Sequence, residues 1–369
     1  MSDTTGIYIH IPFCDGKCPY CDFYSHTADD SIKDAYLEAL LRDIQGLDRS
    51  RIYDTIYFGG GTPSVFGGER IGAILDSLNA NYIITPDAEI TVECNPQRDN
   101  TQFFRIVNDA GVNRISLGLQ SAVDSERRIL GRRATVDDAL QNINSARKSG
   151  IENISVDIML GIPNQTIDSL DRSLDFILNS DIPHASCYML QIEKGTFFYN
   201  HRDRYVFPDD EAVSELYLHM CDRLENAGLW QYEISNFAKN GFESRHNNRY
   251  WNLSDYYGIG ASAHSFIGGQ RYFYPASTTD FISGIEQVND GKGGDAQEYI
   301  MLQLRLRQGI IFEDFYSRYN RELSRSFHKL ASRYASENFG EYDDKHFALN
   351  SRGFLVSNTI ISELIEVAF

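Results

Sequence analysis

The sequence predicts an α/β protein: a partial (β/α)6 TIM-like barrel followed by a smaller C-terminal α+β module of winged-helix type. Three observations predict it. Six short apolar runs fall within the first two hundred residues, and they read as continuous hydrophobic stretches, as strands buried on both faces do. Amphipathic stretches of helical spacing separate them, so strand and helix alternate in series, the order that builds a parallel sheet with right-handed crossovers. Beyond residue 229 the alternation stops, and the last seventy-five residues read as helices, a hairpin and a closing helix. A doubly wound open sheet would satisfy the first two observations. The barrel is favoured because five of the six runs end in, or soon reach, a glycine or a polar side chain, which suits strand ends that open onto a barrel mouth.

In order, the runs are "IYIHI" (Ile7 to Ile11), "TIYFGGG" (Thr55 to Gly61), "EITVECN" (Glu89 to Asn95), "RISLGLQ" (Arg114 to Gln120), "NISVDIMLG" (Asn153 to Gly161) and "ASCYMLQI" (Ala185 to Ile192). Between them, "SIKDAYLEALLRDIQGL" and "TVDDALQNINSARKSG" are amphipathic helices, the second stopped by Gly150 in the manner of a helix C-cap. A long helix around Asp209 to Gly228 closes the barrel segment, 1–228. Residues 229–294 are rich in aromatics and glycine and read as strands and loops. In 295–369, "EYIMLQLRLRQGI" and "RELSRSFHKLASRYASEN" read as helices and "HFALNSRGFLVSNTIISELIEVAF" as a hairpin with a final helix. That module reads as a packing lid, because the chain lacks the basic excess that DNA recognition needs.

Composition narrows the function classes. A chain of 369 residues, 42% hydrophobic, supports one large core with a smaller appendage. A formal charge of −18 repels polyphosphate, which argues against nucleic acid as a partner. The start "MSDTTGIYIH" has no basic segment followed by an apolar one, and no run of 18 apolar residues occurs, so a cytoplasmic protein without a membrane span is expected.

Half of the six cysteines lie in "CDGKCPYC", as Cys14, Cys18 and Cys21. In a reducing compartment such a group reads as metal ligation, while Cys94, Cys187 and Cys221 read as core residues. Structural zinc wants four closed ligands, and no second Cys or His pair of suitable spacing is present, so a zinc-stabilised binding module is the weaker reading. Three thiolates on an iron-sulfur cubane leave one iron without a protein ligand.

The CxxxCxxC spacing after a first strand resembles that of the radical S-adenosylmethionine superfamily. "GGGTPS" (Gly59 to Ser64), "EITVECNP", "RISLGLQS", "LGR" (Leu130 to Arg132), "DIMLGIPNQT", "YEISNFA" and "RHNNRYW" (Arg245 to Trp251) resemble, in the same order, the branch containing oxygen-independent coproporphyrinogen III dehydrogenases and heme chaperones of the HemW type. The resemblance implies a 4Fe-4S cluster on Cys14, Cys18 and Cys21, with S-adenosylmethionine on the open iron. It implies that Gly60, Gly61 and Thr62 hold the methionyl end, that Tyr8, Tyr20 and Arg132 surround the cofactor, and that Glu93, Gln120 and Asp157 converge on it from strand ends. Gln191 is placed with them by its position after the sixth strand. Each residue type also suits the ligand by itself: carboxylates accept from an ammonium or from ribose hydroxyls, and Arg offers a fork to a carboxylate.

Phe23 divides the branch. Its dehydrogenases resemble CxxxCxxCxC and carry a longer arm before the loop, whereas this chain has Phe23 at the last position and thirteen residues before Cys14. Heme chaperones share the phenylalanine. Physically, Phe23 reads as core filling beside Tyr24. The resemblance therefore implies a heme chaperone with no required turnover of porphyrinogen, the dehydrogenase being the alternative; it also suggests respiratory-chain hemoproteins as clients and a homodimer as assembly. In "RHNNRYW", read as a polar loop, His246 is the expected heme ligand, with Tyr250 and Trp251 on the ring and Arg245 or Arg249 at the propionates. His264, in "GASAHSF", is the competing ligand, expected to pack near the barrel mouth.

Overall fold

A computed structural model describes residues 4–369. Six parallel strands form its centre: β1 (Thr4–Ile11), β2 (Ile52–Gly60), β3 (Ile83–Cys94), β4 (Arg114–Gln120), β5 (Asn153–Leu160) and β6 (His184–Met189). They lie side by side in sequence order, and β1 does not pair with β6, so the barrel is incomplete as expected. Alternate residues Ile7, Ile9 and Ile11 of β1 are fully buried, and each such side chain contributes about 1.5–3 kcal/mol of burial. The helix Val136–Lys148 begins with a Thr135/Asp138 capping box and ends before Gly150, whose φ of +104° only glycine adopts readily.

Strands β2 and β3 start earlier than their apolar runs do. Ile52 and Ile83 are exposed, and "IITPDA" lacks a continuous buried face, so periodicity does not register the lower half of β3. The sixth strand ends at Met189 rather than Ile192 because the chain leaves the sheet there to form part of the mouth.

The segment 229–294 is not a free-standing unit. Its strands β7 (Trp230–Gln231) and β8 (Asn236–Ala238) extend the sheet antiparallel beyond β6, while β9 (Tyr256–Ile259) pairs parallel with β1 and continues into β10 (His264–Ile267), β11 (Gln270–Phe273) and β12 (Val288–Lys292). Strands this short gain their hydrogen bonds from the barrel edges, and in return they cover edges that would otherwise be open. Two short helices, Arg245–Trp251 and Thr278–Ile282, interrupt them, which corrects the all-strand-and-loop reading.

The C-terminal module runs helix Ala296–Gln303, β13 (Ile310–Ile311), helices Phe312–Tyr319 and Arg325–Ser336, then β14 (Gly340–Tyr342) and β15 (His346–Leu349). The three strands pair in the order β13-β15-β14, the connectivity of a winged helix, and helix Ser357–Glu366 closes the chain. Among the described residues no helix is long and apolar enough to cross a membrane.

Candidate functional site at the barrel mouth

The carboxyl ends of the six parallel strands open onto one cavity of about 1140 Å³. This is more than a single drug-sized ligand requires. Cys14, Cys18, Tyr20 and Cys21 line one wall. Gly60, Gly61 and Thr62 follow β2, and Glu93, Gln120 and Asp157 come from the ends of β3, β4 and β5, with Arg132 and Gln191 completing the ring. The structure thus gathers every expected cofactor contact except Tyr8. That residue is half-buried on β1, with its hydroxyl 3.0 Å from His10 Nδ1 and its ring stacked against Tyr57.

The cysteine loop is closed at its base by Cys14 N–H to His26 O at 3.0 Å and His26 N–H to Pro12 O at 2.9 Å. Lys17 Nζ donates to the Phe23 carbonyl across the loop. All three thiols are free and half-buried, whereas Cys94, Cys187 and Cys221 are buried in the core with thiols pushed up by burial. Burial also raises Cys21, opposed by the Lys17 ammonium. Among the described residues, no three His, Cys, Asp or Glu side chains converge where one metal ion could sit. All three thiols line the cavity wall, and thiolates are the ligands that iron-sulfur clusters take.

Arg132 shows how the mouth is prepared. Gly131, with φ +73°, lies so close to Pro19 that a Cβ would stand 2.8 Å from it, which locks the "LGR" turn against the cysteine loop. From there the guanidinium donates to Asn95 Oδ1 and to the Tyr20 hydroxyl, each at 2.5 Å. Its Nε is buried with no partner among the described residues, a donor that a ligand in the cavity could meet. Glu93 accepts from the Tyr57 hydroxyl at 2.8 Å, and burial pushes its carboxyl up to about 7. Asp157, also raised by burial, accepts from Ser116 Oγ at 3.1 Å. These neighbours hold the carboxylates without neutralising them.

Gln120 sits at φ +68°, a costly conformation for a non-glycine residue, just after a bulge in the β4–β5 pairing at Leu119. Gly118 must lack a side chain, since a Cβ would come within 2.8 Å of Asn95 Oδ1. For Gly60 and Gly61 the reason differs from close ligand approach: a Cβ would strike the His10 ring or the Phe13 and Ile11 carbonyls of the adjoining chain. Sequence reasoning passed over Asn95, which ties Thr62 to Arg132. It also missed Ser116, although Ser116, Gly118 and Gln120 share one strand face by alternation.

His246, the expected heme ligand, does not line this cavity. "RHNNRYW" is the helix Arg245–Trp251, not a loop, and it plugs the amino-terminal end of the barrel. The imidazole is fully buried, with Nδ1 2.9 Å from Thr55 Oγ1 and Nε2 2.9 Å from the Tyr250 hydroxyl. Burial lowers its pKa to about 3, so the ring is neutral, and its one lone pair accepts from the Thr55 or the Tyr250 hydroxyl according to the tautomer. Arg249 pairs with Asp54, and Arg245 with Asp54 and Asp87, so neither arginine waits for a propionate. His264 stacks on Phe273 at the start of β10 with an exposed ring, rather than packing inward. Phe23 does not fill the core either: it is 65% exposed on the cavity rim.

Comparison with known proteins agrees with this geometry. The sequence model of the radical SAM superfamily matches residues 8–177, and that of the HemN C-terminal domain matches residues 295–356. The chain is 33% identical to the heme chaperone HemW of Bacillus subtilis, over 97% of this chain and 98% of that one. It is 38% identical to the heme chaperone HemW of Escherichia coli over 71% of this chain and 70% of that protein. The solved radical SAM enzyme coproporphyrinogen III oxidase (HemN) of Escherichia coli superposes with a TM-score of 0.84 at 20% identity, covering 98% of this chain and 90% of that one, which shows a shared fold. With a three-cysteine loop at the mouth of a partial barrel and end-to-end similarity to these relatives, the chain belongs to the HemW family within the radical SAM superfamily.

Proposed function

We propose that the protein is a heme chaperone: it takes up heme and passes it to client hemoproteins, with a 4Fe-4S cluster and S-adenosylmethionine held at the barrel mouth. The observation that carries the reading is the end-to-end similarity to heme chaperones, which spans the cysteine loop and the C-terminal module alike. Cys14, Cys18 and Cys21 would hold the cluster, which when bound supplies an iron without a protein ligand, where S-adenosylmethionine is chelated. Glu93 and Asp157 offer carboxylates to the ligand's ammonium or ribose, and Arg132 offers its spare Nε–H to a carboxylate. Tyr57 and Ser116 keep the two carboxylates aimed into the cavity, and the Gly131 turn keeps Arg132 there. Phe23, standing where a dehydrogenase of this fold would carry a further thiol, favours the chaperone over the decarboxylating enzyme.

The test is anaerobic reconstitution followed by two titrations. Wild-type protein should bind about one hemin per chain and should release no carbon dioxide from propionate-labelled coproporphyrinogen III with S-adenosylmethionine and reductant present. Cys14→Ala, Cys18→Ala and Cys21→Ala should each lose the cluster's visible absorption while remaining folded. Stoichiometric decarboxylation by the wild type, or four irons per chain in all three variants, would overturn the reading.

A further inference from the structure

The wall between β5 and β6 is polar where a barrel of this type is ordinarily filled by branched apolar side chains. Ser155 and Asp157 alternate inward along β5, and the parallel register sets them opposite His184 and Ser186 of β6. Ser155, His184 and Ser186 are buried, and none of the three lines the mouth cavity.

Their polar atoms join end to end. Asp157, on the mouth cavity, is hydrogen-bonded to Ser186. Ser186 Oγ lies 3.2 Å from Ser155 Oγ, Ser155 Oγ lies 2.7 Å from His184 Nδ1, and His184 Nε2 lies 2.9 Å from the Tyr232 hydroxyl. Tyr232, whose hydroxyl also accepts from Ser244 N–H at 3.2 Å, lines a second cavity of about 390 Å³ with Glu243, Asn248 and Arg307, between the closed end of the barrel and the C-terminal module. The chain of bonds thus runs through the barrel from one cavity to the other.

Every member after Asp157 is a hydroxyl or an imidazole, groups that both donate and accept. Buried groups that only satisfied one another would be served as well by fixed amides. A row of reversible donors lets a proton enter at one end while another leaves at the far end. His184 meets a hydroxyl on each ring nitrogen, so it can take a proton on one and release one from the other. Burial and the Arg114 guanidinium hold its pKa well below the ordinary range, and a neutral ring relays a proton rather than storing it.

Asp157 is where a proton has to move. Burial raises its carboxyl; Arg114, from β4, and Arg132 favour the charged form, and Glu93, from β3, opposes it. Tyr57, Tyr188 and Cys187, all held protonated by burial, are the other titratable groups around it, and Glu233, Glu89 and Arg114 surround Tyr232. A cationic ligand such as S-adenosylmethionine favours the carboxylate and drives the proton off, and once seated it covers Asp157 from the mouth side.

We infer that Asp157, Ser186, Ser155, His184 and Tyr232 form a proton path through the barrel, by which Asp157 delivers its proton to the closed-end cavity while the mouth is filled. In one passage the Asp157 O–H bond breaks as Ser186 takes the proton, each member hands on its own proton in turn, and the Tyr232 hydroxyl gives one to solvent. No electrons are exchanged. The inference rests on S-adenosylmethionine binding at the mouth and adds to it the route by which the displaced charge leaves.

Stopped-flow mixing of anaerobically reconstituted protein with saturating S-adenosylmethionine, in weak buffer with a pH-indicator dye, tests the path. Wild type should release a proton in a phase that Asp157→Asn lacks, which separates it from any release by Glu93. Ser155→Ala removes the middle hydroxyl, and His184→Gln keeps an amide between the same neighbours but cannot pass a proton from one end of it to the other. Each should slow that phase by about tenfold or more. Their S-adenosylmethionine affinity by calorimetry should equal that of wild type, and Ser155→Thr, which keeps the hydroxyl, should keep the wild-type rate. A merely structural role would lower stability in urea without slowing release. If Ser155→Ala and His184→Gln release the proton as fast as wild type, or if wild type binds the ligand with no phase that Asp157→Asn abolishes, the path is wrong although the reading of the mouth stands. If wild type binds no S-adenosylmethionine, that reading falls and the path with it.

Discussion

At the closed end of the barrel, Arg249 spends all its donors: Nε on Thr55 Oγ1, Nη1 on the Thr4 and Asp255 carbonyls, Nη2 on Thr4 Oγ1 and Asp54. At the mouth, Arg132 keeps Nε unspent. The two ends are built from the same side-chain types, so residue type does not separate structure from function here. What separates Arg249 from Arg132 is that Arg132 keeps a donor over and lines the cavity. A buried donor left without a partner costs stability, and at Arg132, which lines the cavity, a ligand can complete the set; Arg114 Nε and Asn153 Oδ1, also unpartnered among the described residues, stand at the opposite strand ends and do not line it. In (β/α) barrels the amino-terminal face carries stability and the carboxyl-terminal face carries chemistry, and this molecule follows that division.

The sharpest way to break the comparison is Arg249→Ala. Removing Arg249 leaves Asp54 with only the more exposed Arg245 and the Thr4 hydroxyl, and should cost about 3 kcal/mol in urea unfolding. At temperatures where the variant stays folded, hemin and S-adenosylmethionine uptake should match the wild type. A variant that keeps wild-type stability but loses heme would move function to the closed end.

The history of that end in the sequence is instructive. The six barrel strands were legible because a parallel strand buried on both faces is a continuous apolar run, whatever lies far away in the chain. The mouth was legible because Glu93 and Gln120 stand at or next to the ends of such runs and Asp157 interrupts one with a carboxylate. "RHNNRYW" was not legible as a helix: seven residues, capped by Ser244, show almost no periodicity, and the partners that bury them, Thr55 and Glu89, lie more than 150 positions away. The edge strands fail for a similar reason, since β7 has two residues and takes its register from β8.

A smaller effect should appear at Glu93. Burial holds its carboxyl near 7 against an ordinary 4.5, so the folded, ligand-free protein keeps a proton that the unfolded chain releases. Stability from this group is therefore present below pH 4.5 and lost as pH rises from there through about 7, and Glu93→Gln should flatten that slope. Binding should run the opposite way: S-adenosylmethionine affinity should rise through pH 7 as the carboxylate forms, and Glu93→Gln should lose about 1.5–3 kcal/mol of it at pH 8. Calorimetry at pH 6 and 8 on both proteins checks the sign, and equal affinities throughout would remove Glu93 from the ligand shell.

The smallest expected change is Phe23→Ala, and it sharpens the comparison from the mouth side. The ring is 65% exposed, and its backbone is held independently of it, because Lys17 Nζ bonds the Phe23 carbonyl and not the side chain. Deleting the ring removes little buried area, so unfolding free energy should stay within about 0.5 kcal/mol and cluster content should not change. The side chain nonetheless overhangs the rim of the cavity, where an apolar surface kept in water serves an incoming ligand better than it serves the fold. A Phe23→Ala protein that is as stable as wild type and equally loaded with iron, yet slower to take up hemin in stopped flow, would place Phe23 with Arg132 among side chains held in readiness. A loss of several kcal/mol instead would return it to the core, as its sequence alone suggested.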